Sequence, residues 1–228
     1  MEKKYQKIKE IVEKELFCSA HNIEHVMRVY NLCLYLAKDE LAINLDILKT
    51  AALLHDIARV KEDQDNSGDT DHAILGAEMA EKILKDSGYP QKKIEEVKYC
   101  IITHRFRSVR SGNAPKTREA KILFDADKLD VLGSIGIARS FIIAGQYGEK
   151  LYSDVPINEY IKKNLVDGKI NGRIKKMSEH APNIEFETKF KYIPGKLYTQ
   201  KAKKIAMKRM EFMKHFFERL TKEINGEM

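Results

Sequence analysis

Cysteine is scarce in this chain, and tryptophan is absent from its 228 residues. The three cysteines, Cys18, Cys33 and Cys100, form neither an even set nor a CxxC pair. Their number and spacing argue against a disulfide framework and against a thiolate zinc site. Cys33 and Cys100 lie in apolar stretches of helical pattern, and we expect both to be small buried residues.

Long apolar runs are also missing. No stretch approaches the roughly 20 consecutive apolar residues that a helix needs to span a bilayer, so we expect no membrane partner. The first five residues begin a charged amphipathic pattern in place of the apolar core of a signal peptide. These two absences predict a cytoplasmic protein.

Acidic residues are fewer than basic ones: 34 Asp and Glu stand against 41 Lys and Arg, a net charge of +7. A basic surface attracts anionic partners through long-range steering. The sequence lacks the aromatic strands of an RRM, the loop of a KH domain and the spacing of a zinc finger. The charge therefore favours a nucleotide, or solubility alone, over nucleic acid.

Helical periodicity runs along nearly the whole sequence. Apolar residues recur at three- and four-residue steps, which is typical of helices that bury one face. Without an internal repeat or a linker, one all-α domain of residues 1–228 is the simplest fold. Loops are expected at 61–70, 105–116 and 145–156. Helices are predicted at about 5–17, 21–38, 45–57, 72–86, 91–104, 118–132 and 137–144, with a last helix that includes 206–224.

The last helix has the clearest apolar stripe, in which Met210, Met213 and Phe217 follow one another at three- and four-residue steps. Such a stripe most simply packs against the rest of the protein and leaves a solvated basic face. A partner-binding helix, for example in a homodimer, is the alternative that the sequence leaves open.

Several polar residues fall on the buried faces of these helices. His25 shares a stripe with apolar residues four and seven positions later, and His55 ends an apolar helix immediately before Asp56. Asp127 and Asp130 are three residues apart and share a helical face. Burying imidazoles and carboxylates costs free energy unless a partner satisfies them, and a divalent cation such as Mn, Fe, Co, Ni, Zn or, less well, Mg would do so.

Each of these residues has a simpler explanation when it is considered alone. A single histidine on an apolar face is more often a hydrogen-bonded core residue than a metal ligand. The ordered set favours a metal site: a histidine, then a His-Asp pair at the end of an apolar helix, then an aspartate far downstream.

In that order the residues resemble the signature of the HD-domain phosphohydrolases, H…HD…D on an all-helical bundle. The matching segments are 25–29 (HVMRV), 51–57 (AALLHDI) and 125–130 (DADKLD). The continuation VLGSIGIAR looks like a small bacterial and archaeal subgroup that includes nucleotide pyrophosphatases. The resemblance implies an HD-domain bundle with the metal in its core, an HD core at about 20–145 and a C-terminal helical extension at about 146–228.

The resemblance also implies roles for single residues. His25, His55, Asp56 and Asp127 would be the four protein ligands of one divalent ion. Neighbouring Arg59 and Lys128 would then contact substrate phosphates, and Asp130 or His72 would move a proton. His21, four residues before His25, would be a helix-start residue near the site; the spacing also allows it to chelate a metal together with His25.

His72 and His104 form a second pair, at the start of one predicted helix and the end of another. In two-metal HD enzymes, histidines at similar places bind a second ion that Asp56 would bridge here; in one-metal members they contact substrate or act as acid or base. Two exposed histidines at helix ends are the simplest alternative. The basic run after His104 begins with Arg105 and Phe106, which could hold the phosphates and base of a nucleotide or be merely solvated.

We therefore expect metal-dependent hydrolysis at phosphorus, with Asp56, His72, His104 and Asp130 as catalytic residues and Arg59, Lys128 and Arg105 as substrate contacts. The expected substrate is a nucleoside triphosphate, (d)NTP, cleaved to the monophosphate and pyrophosphate. A nucleoside monophosphate or a cyclic nucleotide is an alternative substrate. A non-catalytic nucleotide-binding HD module and a di-iron oxygenase are alternatives of other classes.

Overall fold

The fold is all-α, as predicted. The computed structural model describes residues 1–16, 22–65, 67–110, 112–170 and 172–227, with the side chains of 107 and 110 left aside. The chain is 71% helical, and no strand occurs among the described residues. The predictions for Cys18 and His21 lie outside them. The α-helices are Lys3–Glu15 (α1), Ile23–Ala37 (α2), Leu45–Leu54 (α3), Arg59–Gln64 (α4), His72–Asp86 (α5), Gln91–Thr103 (α6), Phe106–Arg110 (α7), Arg118–Asp130 (α8), Gly133–Tyr147 (α9), Ile157–Asn164 (α10), Pro182–Thr188 (α11) and Gln200–Ile224 (α12).

The chain divides into two compact units, Met1–Asp127 and Lys128–Met228. The predicted single domain, with an HD core to about residue 145 and an extension after it, stays a prediction.

Side-chain caps fix where the helices of the first unit begin. Asn22 accepts hydrogen bonds from the backbone N–H groups of Glu24 and His25 at the start of α2. Asn44 caps α3 in the same way, and Asp71 caps α5 through the N–H of residue 73. A cap of this kind contributes about 1 kcal/mol. Two of these caps lie next to predicted site residues: His25 is in the first turn of α2, and His72 is the first residue of α5.

The core of the first unit lies between α2, α3, α5 and α6, which pack on one another in pairs. Leu48, Leu53 and Leu54 on α3 are fully buried, as are Cys33 and Cys100 within about 1%. Each buried leucine contributes roughly 1.5–3 kcal/mol through the apolar area that it removes from water. The buried positions of both cysteines confirm the sequence prediction.

Two predicted loops are partly helical. In the run read as a loop from 61 to 70, α4 extends to residue 64, because Arg59 pairs along the helix with Glu62 and Asp63 at three and four residues and Val60 is buried. In the basic run, α7 forms where the ring of Phe106 packs edge-on against Phe124, with centroids 5.2 Å apart. Both loop predictions were wrong in part, because each run of charged residues contains local contacts that stabilise a short helix. In α4 these are the ion pairs of Arg59 and the buried Val60, and in α7 the contact of Phe106 with Phe124.

In the second unit, α9 packs on α11 and α12. Gly133 opens α9 with a φ of +76°, a conformation that favours glycine. Buried Tyr160, Leu165 and Ile184 form a separate apolar cluster.

In the described part of the chain no single helix has the length and apolar composition to cross a membrane. The bent pair α8 and α9 meets that test only when the two helices are counted together.

Candidate metal centre

The structure brings the predicted quartet together. His25 comes from α2, His55 and Asp56 follow the end of α3, and Asp127 lies on α8. Nε2 of His25 lies 3.3 Å from Nε2 of His55, and it lies 3.5 Å from a carboxylate oxygen of both Asp56 and Asp127. His25, His55 and Asp56 are at most 5% exposed. These side chains form the first donor group.

A second donor group faces the other oxygen of Asp56. Oδ1 of Asp56 lies 3.2 Å from Nε2 of His72 and 3.5 Å from Nε2 of His104, and the two Nε2 atoms lie 3.3 Å apart. Both histidines are at most 3% exposed, so the alternative of two exposed histidines at helix ends is wrong. The Asp56 carboxylate therefore lies between two donor groups and presents one oxygen to each.

Both groups have the chemistry and spacing of a cation site. Three donor atoms of His25, His55 and Asp56 lie within 4.8 Å of one another, and so do three of Asp56, His72 and His104. Ligand atoms bound about 2.1 Å from one cation in tetrahedral or octahedral geometry are about 3.0–3.4 Å apart, close to the distances found here. Imidazole nitrogen with carboxylate oxygen suits Mn, Fe, Co, Ni and Zn. The residues present could thus hold divalent metal.

Hydrogen bonds at Nδ1 leave Nε2 of three histidines for such a role. Nδ1 of His55 donates to the carbonyl oxygen of Ala52 at 2.9 Å, and Nδ1 of His104 donates to that of Ile101 at 2.5 Å. Because a carbonyl only accepts, the proton of each neutral ring is on Nδ1. Nδ1 of His72 donates to the carboxylate of Glu62 at 2.6 Å. Partners of this kind orient metal-binding histidines.

The electrostatics favour the cation-binding protonation states of His55, His104 and Asp56. Burial lowers the pKa of His55 to about 4 and also lowers the pKa of His104. Burial acts in the same direction on His72, but hydrogen bonds to Asp56 and Glu62 outweigh it and raise its pKa. Burial alone would raise the pKa of Asp56, yet the surrounding histidines hold it well below its usual range. Asp56 is therefore an anion, and His55 is neutral near pH 7.

The two arginines predicted to contact substrate lie beside the second donor group and are paired with carboxylates. Arg59 lies 3.0 Å from Glu62 and 2.9 Å from Asp63. Arg105 lies 2.9 Å from Glu62 and 2.8 Å from Asp71. The buried Nε of Arg59 has no hydrogen-bond partner among the described residues, so one donor remains for another acceptor.

Lys128 and Asp130 belong to the second unit. Lys128 is partly buried in the last turn of α8. Asp130 is 1% exposed and accepts a hydrogen bond from Arg139 at 2.7 Å. The predicted roles of these two residues, phosphate binding and proton transfer, stay predictions.

Sequence reasoning missed two acidic residues. Glu62 contacts His72 and both arginines, although the sequence places it in a polar run that is typical of a solvated loop. Its position three residues after Arg59 was the available signal, because residues three apart meet on a helix. Asp125, two residues before Asp127 on α8, is fully buried.

The all-α fold, with a cluster of buried histidines and aspartates in its core, places this chain in the class of HD-type domains. The model of the HD domain family matches residues 22–132. The chain belongs to the HD-domain phosphohydrolase superfamily.

Relatives and solved structures match this chain over most of its length. The chain is 30% identical over 209 residues to YpgQ of Bacillus subtilis (strain 168), an uncharacterized protein, covering 91% of this chain and 86% of YpgQ. A crystal structure of Bacillus subtilis YpgQ in complex with ADP superposes with a TM-score of 0.69 at 26% identity, covering 98% of this chain and 100% of that one. An HD-superfamily hydrolase from Bacillus thuringiensis gives a TM-score of 0.68 at 26% identity, covering 98% and 95%.

Proposed function

We propose that this protein is a metal-dependent phosphohydrolase that cleaves a nucleoside triphosphate to the monophosphate and pyrophosphate. The observation that carries the proposal is the position of Asp56, whose two oxygens face two groups of histidine and aspartate donors. The ADP bound to YpgQ in its crystal structure supports a nucleotide as the ligand.

The two donor groups would hold the cations. His25, His55, Asp56 and Asp127 would bind the first, and Asp56 with His72 and His104 would bind a second. A divalent cation in such a site polarises a phosphoryl oxygen and lowers the pKa of a bound water toward neutrality. The second group offers fewer protein donors than the first, so its ion would leave more positions for substrate oxygens and water.

The chain's own side chains would bind and orient the phosphates. Arg59 has a buried Nε that no described residue hydrogen-bonds. Its guanidinium is kept charged because the neighbouring carboxylates outweigh burial and raise its pKa. A guanidinium matches phosphate oxygens with several N–H donors. Arg105 and Lys128 would add positive charge for the developing charge on the phosphoryl group. Asp130 would act as the proton carrier if Arg139 releases it.

The direct test is metal analysis of the purified protein followed by a panel of nucleotides with Mn²⁺, Co²⁺, Ni²⁺, Fe²⁺, Zn²⁺ and Mg²⁺. Pyrophosphate and phosphate are measured separately. Pyrophosphate release from a triphosphate supports the proposal. Phosphate release from a monophosphate, or hydrolysis of a cyclic nucleotide, would replace the substrate class. Nucleotide binding without hydrolysis under every ion would leave a non-catalytic binding module.

A further inference from the structure

Glu62 connects the second donor group to the two arginines. One carboxylate oxygen accepts a hydrogen bond from Nδ1 of His72 at 2.6 Å and lies 3.0 Å from Arg59. The other oxygen accepts from Arg105 at 2.9 Å. The side chain of Glu62 is 15% exposed. Burial would raise the pKa of this carboxyl, but His72 and the two arginines outweigh it and lower the pKa to about 2.

We propose that Glu62 is a positioning residue that holds the Nδ1–H of His72 and so directs Nε2 of the ring toward Asp56 and His104. The inference rests on the proposed function, because it assigns the second donor group to a cation. A ring nitrogen that donates its N–H to a carboxylate is not available to a cation, so the other nitrogen would be the ligand. With Nδ1 bonded to Glu62, that nitrogen is Nε2, which lies 3.2 Å from Asp56.

His72 differs from the other two histidines in what fixes its ring. His55 and His104 donate Nδ1–H to backbone carbonyls three residues earlier, which no substitution removes. The acceptor for His72 is a side chain that comes from α4. The orientation of His72 therefore depends on one carboxylate.

The arginines hold Glu62 in this position. Arg105 spans Glu62 and Asp71, and Asp71 caps α5, whose first residue is His72. The same guanidinium thus fixes both the acceptor of the ring and the start of the helix that carries it. We infer that Arg105 contributes to positioning as well as to the predicted phosphate contact.

The first experiment reads which ring nitrogens of His72 carry a proton in metal-free protein. Long-range ¹H–¹⁵N correlation spectra of ¹⁵N-histidine-labelled protein near pH 7.5 distinguish protonation at Nδ1 from protonation at Nε2, and a His72→Gln variant assigns the signal. We expect a proton on Nδ1 of His72 in the wild type and its loss in Glu62→Ala, because Asp56 at Nε2 is then the remaining carboxylate acceptor. Glu62→Gln keeps an oxygen acceptor, so it should preserve the proton on Nδ1.

The second experiment is a Mn²⁺ titration followed by calorimetry. Loss of an outer partner of a metal-binding histidine typically weakens affinity about 10- to 100-fold. We expect that loss for the second ion in Glu62→Ala, a smaller loss in Glu62→Gln, and an unchanged first ion in both. Asp63→Asn is the matched control, because Asp63 is a neighbouring carboxylate that also pairs with Arg59.

The outcomes separate this inference from the function on which it rests. A Glu62→Ala protein that keeps the proton on Nδ1 of His72 and has an unchanged second Mn²⁺ affinity overturns the role of Glu62 alone. An equal loss in Asp63→Asn also overturns it, since arginine pairing would then be the cause. A wild type that binds one Mn²⁺ overturns the second cation position and this inference together, while the nucleotide panel still decides whether the protein is a phosphohydrolase.

Discussion

Oδ1 of Asp56 lies 3.2 Å from Nε2 of His72, although the two residues are separated in the chain by α4 and a polar loop. The second oxygen of the same carboxylate lies 3.5 Å from His25. Because each oxygen of Asp56 faces a different donor group, substitution of this residue should affect both groups, whereas substitution of Asp127 should affect the first alone. The two donor groups should therefore respond differently to changes at Asp56 and at Asp127.

Replacing Asp56 with Asn should remove metal from both donor groups, because the amide is neutral and keeps one oxygen. Hydrolysis should fall by at least about 100-fold, since a catalytic cation supplies several kcal/mol of charge stabilisation. Asp127→Asn should weaken the first ion and leave the second bound. Metal content by mass spectrometry checks both, with Asp63→Asn as control. Normal metal content and turnover in Asp56→Asn would contradict the proposed centre.

Replacing Lys128 with Ala should weaken substrate binding without loss of metal. A charge-assisted hydrogen bond is worth about 1.5–3 kcal/mol, so KM for a triphosphate should rise about 10- to 100-fold. Lys121→Ala, on the same helix, is the control and should change KM less than about twofold, since this half-buried lysine lies two helical turns before Lys128. If metal content falls in Lys128→Ala, the residue is structural and its predicted phosphate contact is wrong.

Stability at low pH should depend on Glu185 in the second unit. It accepts hydrogen bonds from His180 at 2.7 Å and from Lys189 at 2.6 Å. Burial would raise its pKa, but Lys189 and His180 outweigh burial and lower it to about 2, below the ordinary 4.5. The folded state therefore holds the ionised form more tightly than the unfolded state, and this stability is complete above pH 4.5 and lost as pH falls toward 2.

Glu185→Gln should consequently lower the free energy of unfolding by about 1–3 kcal/mol at pH 7, and the difference should shrink between pH 4.5 and 2. Urea unfolding at several pH values measures it. Glu187→Gln removes a surface pair with Lys191 and should change stability by less than about 1 kcal/mol at any pH. A difference that stays constant down to pH 2 would mean that Glu185 acts through packing.

Helical periodicity in the sequence was sufficient to predict some of the site residues. His25 and His55 were placed on inward faces because their apolar neighbours recur at helical spacing, whereas Asp127 joined them through the family resemblance. The structure places all three together. Periodicity could not show that Glu62 is mostly enclosed, because its surroundings come from distant residues, His72 on α5 and Arg105 beyond α6. The burial of His72 and His104 was likewise undecided, since a helix end is as often exposed as enclosed.

The last prediction concerns two glycines on α9 in the second unit. A Cβ at Gly136 would lie 2.2 Å from the carbonyl oxygen of Val131. Because that oxygen belongs to the backbone, only a backbone shift could relieve the clash. Gly136→Ala should therefore destabilise the protein by about 1–3 kcal/mol, as overpacking does. At Gly145 a Cβ meets nothing within 4 Å, so Gly145→Ala should stabilise α9 by up to about 1 kcal/mol through helix propensity. Thermal unfolding of both variants measures the contrast. Equal effects of the same sign would mean that the backbone around Val131 shifts without cost, and that a glycine is not required at position 136.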